Sequence, residues 1–438
     1  MEKKKIVISF DFNIQYRNLV GSGLLDYLSS GFSSILLLSN NDIFLECPNL
    51  PANVSVKSIG KFRFRKLRQL LFFAARYQNA INTNDNAIHR KKWMAGYSTM
   101  KFVGITRKLF GDKSKNILMK LCQMDFILNK RRWVEFDDYD LYLSSTYIWQ
   151  YYDAMVGLYF QKIGKPWVAH VTSWDNPSSK GEFVFNPDKL IVWGEQNYEE
   201  SIKYLRLPFD RLIKIAPPHF AILKTVKGIE IIENESKYIY YIGVTKNNYT
   251  WEAELVRQLL NWISSKPELK GLKVLFRPHP NDRNNWWSDL LKNENLILDD
   301  EVDISKIFVY STDEKNLFKF YKKIKNSVCV ISYQSTVCLE AGLLNVPVLM
   351  PMFKPGDPNE KNMPHDGWPH MQHMIKNMPQ EYLSRSESEM LNMIIGCYNG
   401  RIEKEIRNQF YQTCSHIANI ESNIFEKYVS EINKILEC

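Results

Sequence analysis

Arg277 and His279 lie in the stretch KVLFRPHPND, residues 273–282, a guanidinium and an imidazole two positions apart. Together they carry the donors and charge that phosphate oxygens require. Val274, Leu275 and Phe276 before them suit a half-buried strand. Pro278 and Pro280 have no amide donors, so the ladder must stop there and the loop is stiff. Both side chains are therefore presented from a rigid strand end, unless the stretch is a surface turn with incidental polar residues. A second strand end has comparable chemistry in SVCVISYQSTVCLEAGLLNVPVLMP, residues 327–351. Ser335 and Thr336 open a helix there, either as plain caps or as hydroxyls flanking an anion site made by free amides and the helix dipole. Glu340, one turn on, would reach a ribose hydroxyl or stand exposed on the helix. Gly243, after YIYYI, is a third strand end, where backbone can approach a ligand closely.

The first half offers its own strand ends. WVAHVTSWDNPSSKG, residues 167–181, carries Asp175, which would accept the proton of an acceptor hydroxyl, and His170, which reads as strand-interior. Asp175-Asn176-Pro177 is also a good turn sequence. Lys180 would hold an acceptor phosphate. Arg17 and Asn18, in DFNIQYRNLVGSG (11–23), are candidate acceptor contacts, as is His365 in HDGWPHMQH (365–373). The three histidines of that last stretch have no further ligand spaced for zinc, and no metal is expected. Asp138-Tyr139-Asp140 resembles a metal-binding DxD motif but precedes a strand instead of ending one.

Short apolar runs alternate with helical spacing along most of the chain, which predicts parallel sheets covered on both faces. In such sheets ligands sit at the carboxyl ends of the strands. The expected fold class is α/β, with two Rossmann-like domains facing across a cleft and C-terminal helices. The boundaries read as 1–218 with a helical insertion at about 63–130, then 237–400, then helices over 401–438. Pro217-Pro218 and the aperiodic residues after them read as the linker.

The 438 residues, 45% hydrophobic and 24% charged, suffice for two cores. Seven dispersed cysteines fit reduced thiols, and no apolar run is long enough for a leader or a membrane span. A cytoplasmic protein is expected. The net charge is +9. Basic and aromatic residues cluster at Lys61–Tyr77, His89–Trp93 and Lys130–Trp133, suiting an anionic membrane surface or a solvated helix face better than nucleic acid.

RPHP after a strand, followed by SYQSTVCLEAGLLNVPVL, resembles the donor domain of GT-B glycosyltransferases of bacterial surface-polysaccharide synthesis. It is similar in particular to groups with an HP motif and an S-S/T motif, the CMP-sugar-using sialyl- and Kdo-transferases and the CDP-glycerol glycerophosphotransferases. The resemblance spans about Tyr238–Met352 and implies that His279, Ser335 and Thr336 contact nucleotide and phosphate. The first domain matches in architecture and lacks the D/E-D/E-G motif of the sialyltransferases. The implied protein is a metal-independent GT-B glycosyltransferase of cell-surface glycan synthesis, peripheral to the inner membrane face. Its partners would be a nucleotide-sugar donor and a glycan or lipid-linked acceptor, with no cofactor beyond the co-substrate. A CDP-polyol phosphotransferase, a non-hydrolysing UDP-sugar 2-epimerase and a non-catalytic scaffold are the alternatives.

Overall fold

The computed structural model describes residues 3–11, 13–39, 50–60, 65–78, 97–145, 151–230, 237–244, 250–279, 286–301, 313–333, 335–357, 363, 368–420 and 423–437. The chain forms two compact units, Met1–Pro218 with Ser422–Cys438, and His219–Glu421.

The first unit is built on β1 (Lys5–Ser9), β2 (Ser34–Ser39), β3 (Val54–Ser58), β4 (Leu141–Ser144), β5 (Trp167–His170), β6 (Lys189–Val192) and β7 (Leu212–Lys214). Their order is β3-β2-β1-β4-β5-β6-β7 and every pairing is parallel, with Val7 of β1 opposite Leu36 on one side and Tyr142 on the other. Central strands such as β1 and β5 are apolar and buried along nearly their whole length, as strands covered on both faces must be. The chain reverses its direction of travel between β1 and β4, which fixes the switch-point crevice at their carboxyl ends.

Helices Arg65–Tyr77, Tyr97–Phe110 and Ser114–Asn129 fill the expected insertion. The first of these is a packing helix. Phe72 and Ala74–Tyr77 are buried, Arg76 donates to the carbonyls of Lys180 and Gly181, and Arg68 pairs with Asp125 at 3.0 Å. Trp133 is likewise buried and stacks on Phe136, so Phe72, Tyr77 and Trp133 do not offer their rings to a lipid surface. Residues 61–64 and 89–93 lie outside the described residues. Asp140 accepts from the Lys5 amide and ties down the amino end of β1, opposite the carboxyl ends of the strands.

In the second unit β8 (Tyr238–Ile242), β9 (Lys273–Arg277), β10 (Leu296–Leu298), β11 (Cys329–Ile331), β12 (Val348–Pro351) and β13 (Leu383–Ser384) pair in parallel in the order β10-β9-β8-β11-β12-β13. The topology repeats that of the first unit, with its switch point between β8 and β11. The short strands β7 and β13 carry too few residues to announce themselves. Where an aperiodic linker was expected, Phe220–Lys227 is a helix that buries Phe220, Ile222, Leu223 and Val226 in the second unit. The closing helices divide as well. Lys404–Ile417 belongs to the second unit and Ile424–Glu437 to the first.

Candidate functional site

At the switch point of the second unit, three neighbouring strands end close together. The Gly243 amide after β8 donates to the Arg277 carbonyl at 2.8 Å. A Cβ on Gly243 would meet the His279 amide nitrogen at 3.1 Å and the Arg277 carbonyl at 3.2 Å. A side chain there would crowd the backbone of the neighbouring strand end, and glycine avoids this. His279 is half-buried beside it. After β11, Ser335 is extended (φ −165°) and its Oγ accepts from the Val337 amide at 3.3 Å, capping the helix Thr336–Leu343. Ser335 and Thr336 are both half-buried, so the start of this helix borders solvent. Free amides at the positive end of a helix favour an anion.

Two expected site residues face inward. Arg277 donates to Asp299 at 2.5 Å and Glu301 at 3.4 Å, and its guanidinium lies 4.6 Å from the Phe320 ring centre. Lys323 and the Tyr240 hydroxyl complete the cluster around Asp299. Burial pushes the Asp299 carboxyl up, but Arg277 and the bonds from Lys323 and Tyr240 outweigh it and hold the group below the usual carboxylate range. The Arg277 charge is thus compensated within the protein. Glu340 is buried too, accepting from the Tyr321 hydroxyl at 3.3 Å and lying 3.6 Å from His219 Nε2.

In the first unit, Gln15 spans the switch point. Its Oε1 accepts from the Asp11 amide at 2.7 Å beyond β1, and its Nε2 donates to the Ser145 carbonyl at 2.6 Å beyond β4. Asn18 reaches the Thr172 carbonyl at 3.4 Å, and Arg17, half-exposed, donates to Asn18 at 3.4 Å. Gln15, Asn18, Ser145, His170, Thr172 and Tyr428 line a cavity of about 20 Å³, room for about one water. His170 stands edge-on to Tyr428, and its Nε2 has no hydrogen-bond partner among the described residues. Burial lowers its pKa to about 3, so the imidazole is neutral at physiological pH. A wider hollow of about 540 Å³ opens at the opposite strand ends, around Lys165, Asp188 and Lys189. It lies at the amino ends of the strands, and none of the candidate site residues borders it.

Asp175 is bonded to side chains of its own turn. One carboxylate oxygen accepts from Ser173 Oγ and the other from Ser179 Oγ, each at 2.6 Å, and Lys180 Nζ stands 3.5 Å away. Lys180 is buried with it and does not project to solvent. Glu200, absent from the sequence-based expectation, lies nearby with one oxygen accepting from Gln196 at 2.8 Å and the other unbonded among the described residues. Burial first, then the Asp175 charge, raises its pKa to about 8. Nothing in the run NYEESIKYL distinguishes this glutamate from its exposed neighbour Glu199. His365 lies outside the described residues. No group of histidine, cysteine or carboxylate side chains suited to a metal occurs among those described.

No family model matches the chain, and no curated protein matches it in sequence. Solved structures do. A proposed UDP-N-acetylglucosamine 2-epimerase from Listeria monocytogenes is 12% identical, with a TM-score of 0.55 over 99% of this chain and 97% of that one. The UDP-GlcNAc 2-epimerase from Methanocaldococcus jannaschii is 12% identical, with a TM-score of 0.51 over 98% and 99%. The wall teichoic acid polymerase TagF is 13% identical, with a TM-score of 0.50 over 99% and 89%. The fold is GT-B, two Rossmann-like domains in one chain. At these identities the likeness extends to the fold alone.

Proposed function

We propose that the protein is a transferase acting on a nucleotide-activated donor, with the donor phosphates held by the second unit. One observation carries the reading. Gly243, His279 and the Ser335–Thr336 helix start belong to the carboxyl ends of three neighbouring strands at a switch point, where doubly wound sheets bind ligands. His279 and the helix amides would stabilise charge on the leaving phosphate. Arg277 would act by anchoring the end of β9, since its charge is already met by Asp299. Glu340 would support the helix from within, through Tyr321 and His219. In the first unit, Asp175 is the base for an acceptor hydroxyl. Ser173 Oγ and Asn176 Nδ2 donate to one of its oxygens and Ser179 Oγ to the other, which fixes the carboxylate in one orientation at the carboxyl end of β5. Arg17 and Asn18 would border the acceptor, a glycan or a lipid-linked sugar.

Calorimetric titration with CMP, CDP and UDP tests the donor assignment. One of these nucleotides is expected to bind, and His279→Ala and Ser335→Ala should each weaken it by about 1–3 kcal/mol with the melting temperature unchanged. Unaltered affinity in both variants sinks the assignment. A 2-epimerase reading draws on the likeness to two such enzymes over nearly the whole chain. Incubating UDP-GlcNAc alone and following C2 by NMR separates the two. The transferase reading expects no epimer without an acceptor.

A further inference from the structure

Helix Ser114–Asn129 has two apolar faces where the core accounts for one. Leu118, Cys122 and Phe126 point inward and are buried. On the outward side Leu121, Met124, Ile127 and Leu128 are exposed, Leu128 to 82% and Ile127 to 61%. Lys120 and, just past the helix end, Arg131 fall on that same outward row and are exposed. The preceding helix Tyr97–Phe110 repeats the pattern, burying Val103 and Thr106 while exposing Lys101, Ile105, Lys108 and Leu109. At the start of Arg65–Tyr77, whose Arg68 is tied to Asp125 of helix Ser114–Asn129, exposed Arg65, Lys66 and Leu67 add to it. Single exposed leucines are ordinary, but repeated outward apolar residues on consecutive helices are not.

We propose that this face docks on an anionic lipid bilayer. Between Tyr97 and Val134 there are nine lysines and arginines against two aspartates. Leucine, isoleucine and methionine interleaved with cations form the surface that settles at a headgroup boundary, with apolar side chains inserted and cations on lipid phosphates. A second copy of the chain is a poor occupant, because the same excess of positive charge would meet itself. The helices lie on the bilayer and do not enter it, for no helix among the described residues is long and apolar enough to cross a membrane. The surface stands independently of the donor site, and it joins Arg65, Lys66 and Arg131 of the basic, ring-rich stretches to the apolar residues of the neighbouring helices.

Vesicle flotation with the full chain tests it, comparing pure phosphatidylcholine with phosphatidylcholine mixed with phosphatidylglycerol. Wild type should float with the anionic vesicles and much less with the neutral ones, losing binding as salt rises. Met124→Asp/Leu128→Asp and Lys120→Glu/Arg131→Glu should each reduce partitioning about tenfold or more. These positions are exposed, so melting temperature and nucleotide binding should stay as in wild type. Equal flotation with both vesicle types, variants that float like wild type, or no flotation at all would each overturn the proposal. So would a concentration-dependent dimer, seen by sedimentation velocity, that these substitutions dissolve without any effect on vesicles.

Discussion

Glu200 and His170 are buried titratable groups of the first unit, both uncharged near neutrality for the same reason, burial. Their effects on stability run in opposite directions. Glu200 rises from 4.5 to about 8 on folding, so between those values the unfolded chain has lost a proton that the folded chain keeps. Its stabilising contribution is complete below about pH 4.5 and falls by about 1.4 kcal/mol per pH unit as pH rises towards 8. His170 falls from 6.5 to about 3, so its contribution is complete above about pH 6.5 and is lost as pH falls through that window. From about pH 4.5 to 6.5 the two slopes oppose one another, and from 6.5 to 8 Glu200 acts alone. Urea midpoints measured across this range should therefore decline from pH 6.5 to 8 in wild type relative to Glu200→Gln. His170→Gln should flatten the acid limb below pH 4.5. Parallel profiles for wild type and Glu200→Gln would mean that the carboxyl is ionised in the folded protein. Asp175→Asn belongs beside these tests. A positioned base is worth on the order of 10²–10⁴ in rate, whereas a residue that only shapes the turn would leave turnover near normal.

Between elements, the helix Thr336–Leu343 is pressed against Lys404–Ile417 at Gly342. A Cβ there would run into Cys414 Sγ and approach the Phe410 ring at 2.8 Å. Gly342→Ala should therefore destabilise the second unit by about 1–3 kcal/mol through overpacking. Cys414→Ala should restore part of the loss in a double-variant cycle of melting curves, since the residues touch. Additive effects would show that the helices separate without cost. The strands that form this architecture were readable in the sequence where they are central, because YIYYI or WVAH, buried on both faces, is a continuous apolar run. Edge strands such as Leu383–Ser384 were not readable, having two residues and no period. The strand-end residues were legible as a set from Pro278, Gly243 and the Ser335–Thr336 pair. The inward turn of Arg277 was not, because its partner Asp299 is 22 positions away, past the next strand. Gln15 was hidden likewise, since both groups that it bridges are backbone atoms of β1 and β4 extensions.

Across the whole molecule, the chain's path makes the two units unequal. The second, His219–Glu421, is one continuous segment, while the first is completed by residues 422–438. Sequence periodicity shows a helix at Ile424–Glu437 but cannot say which core receives it, because an amphipathic face fits any apolar surface. The structure supplies the recipient. Ile424, Tyr428 and Ile432 are buried, and Tyr428 meets His170 edge-on with ring centres 5.8 Å apart. Fully burying three such side chains is worth roughly 5–8 kcal/mol as an upper figure, comparable with the whole stability of a domain. Removing residues 422–438 should therefore unfold most of the first unit. The second should stay folded, with its Gly243, His279 and Ser335 strand ends intact. Calorimetry of the truncated chain is expected to lose one transition and keep the other, and the retained unit should still bind whichever nucleotide the full chain binds. A truncated protein that keeps both transitions would show that the last helix only decorates the first unit. If nucleotide binding vanished while the second transition persisted, the donor site could not belong to the second unit alone.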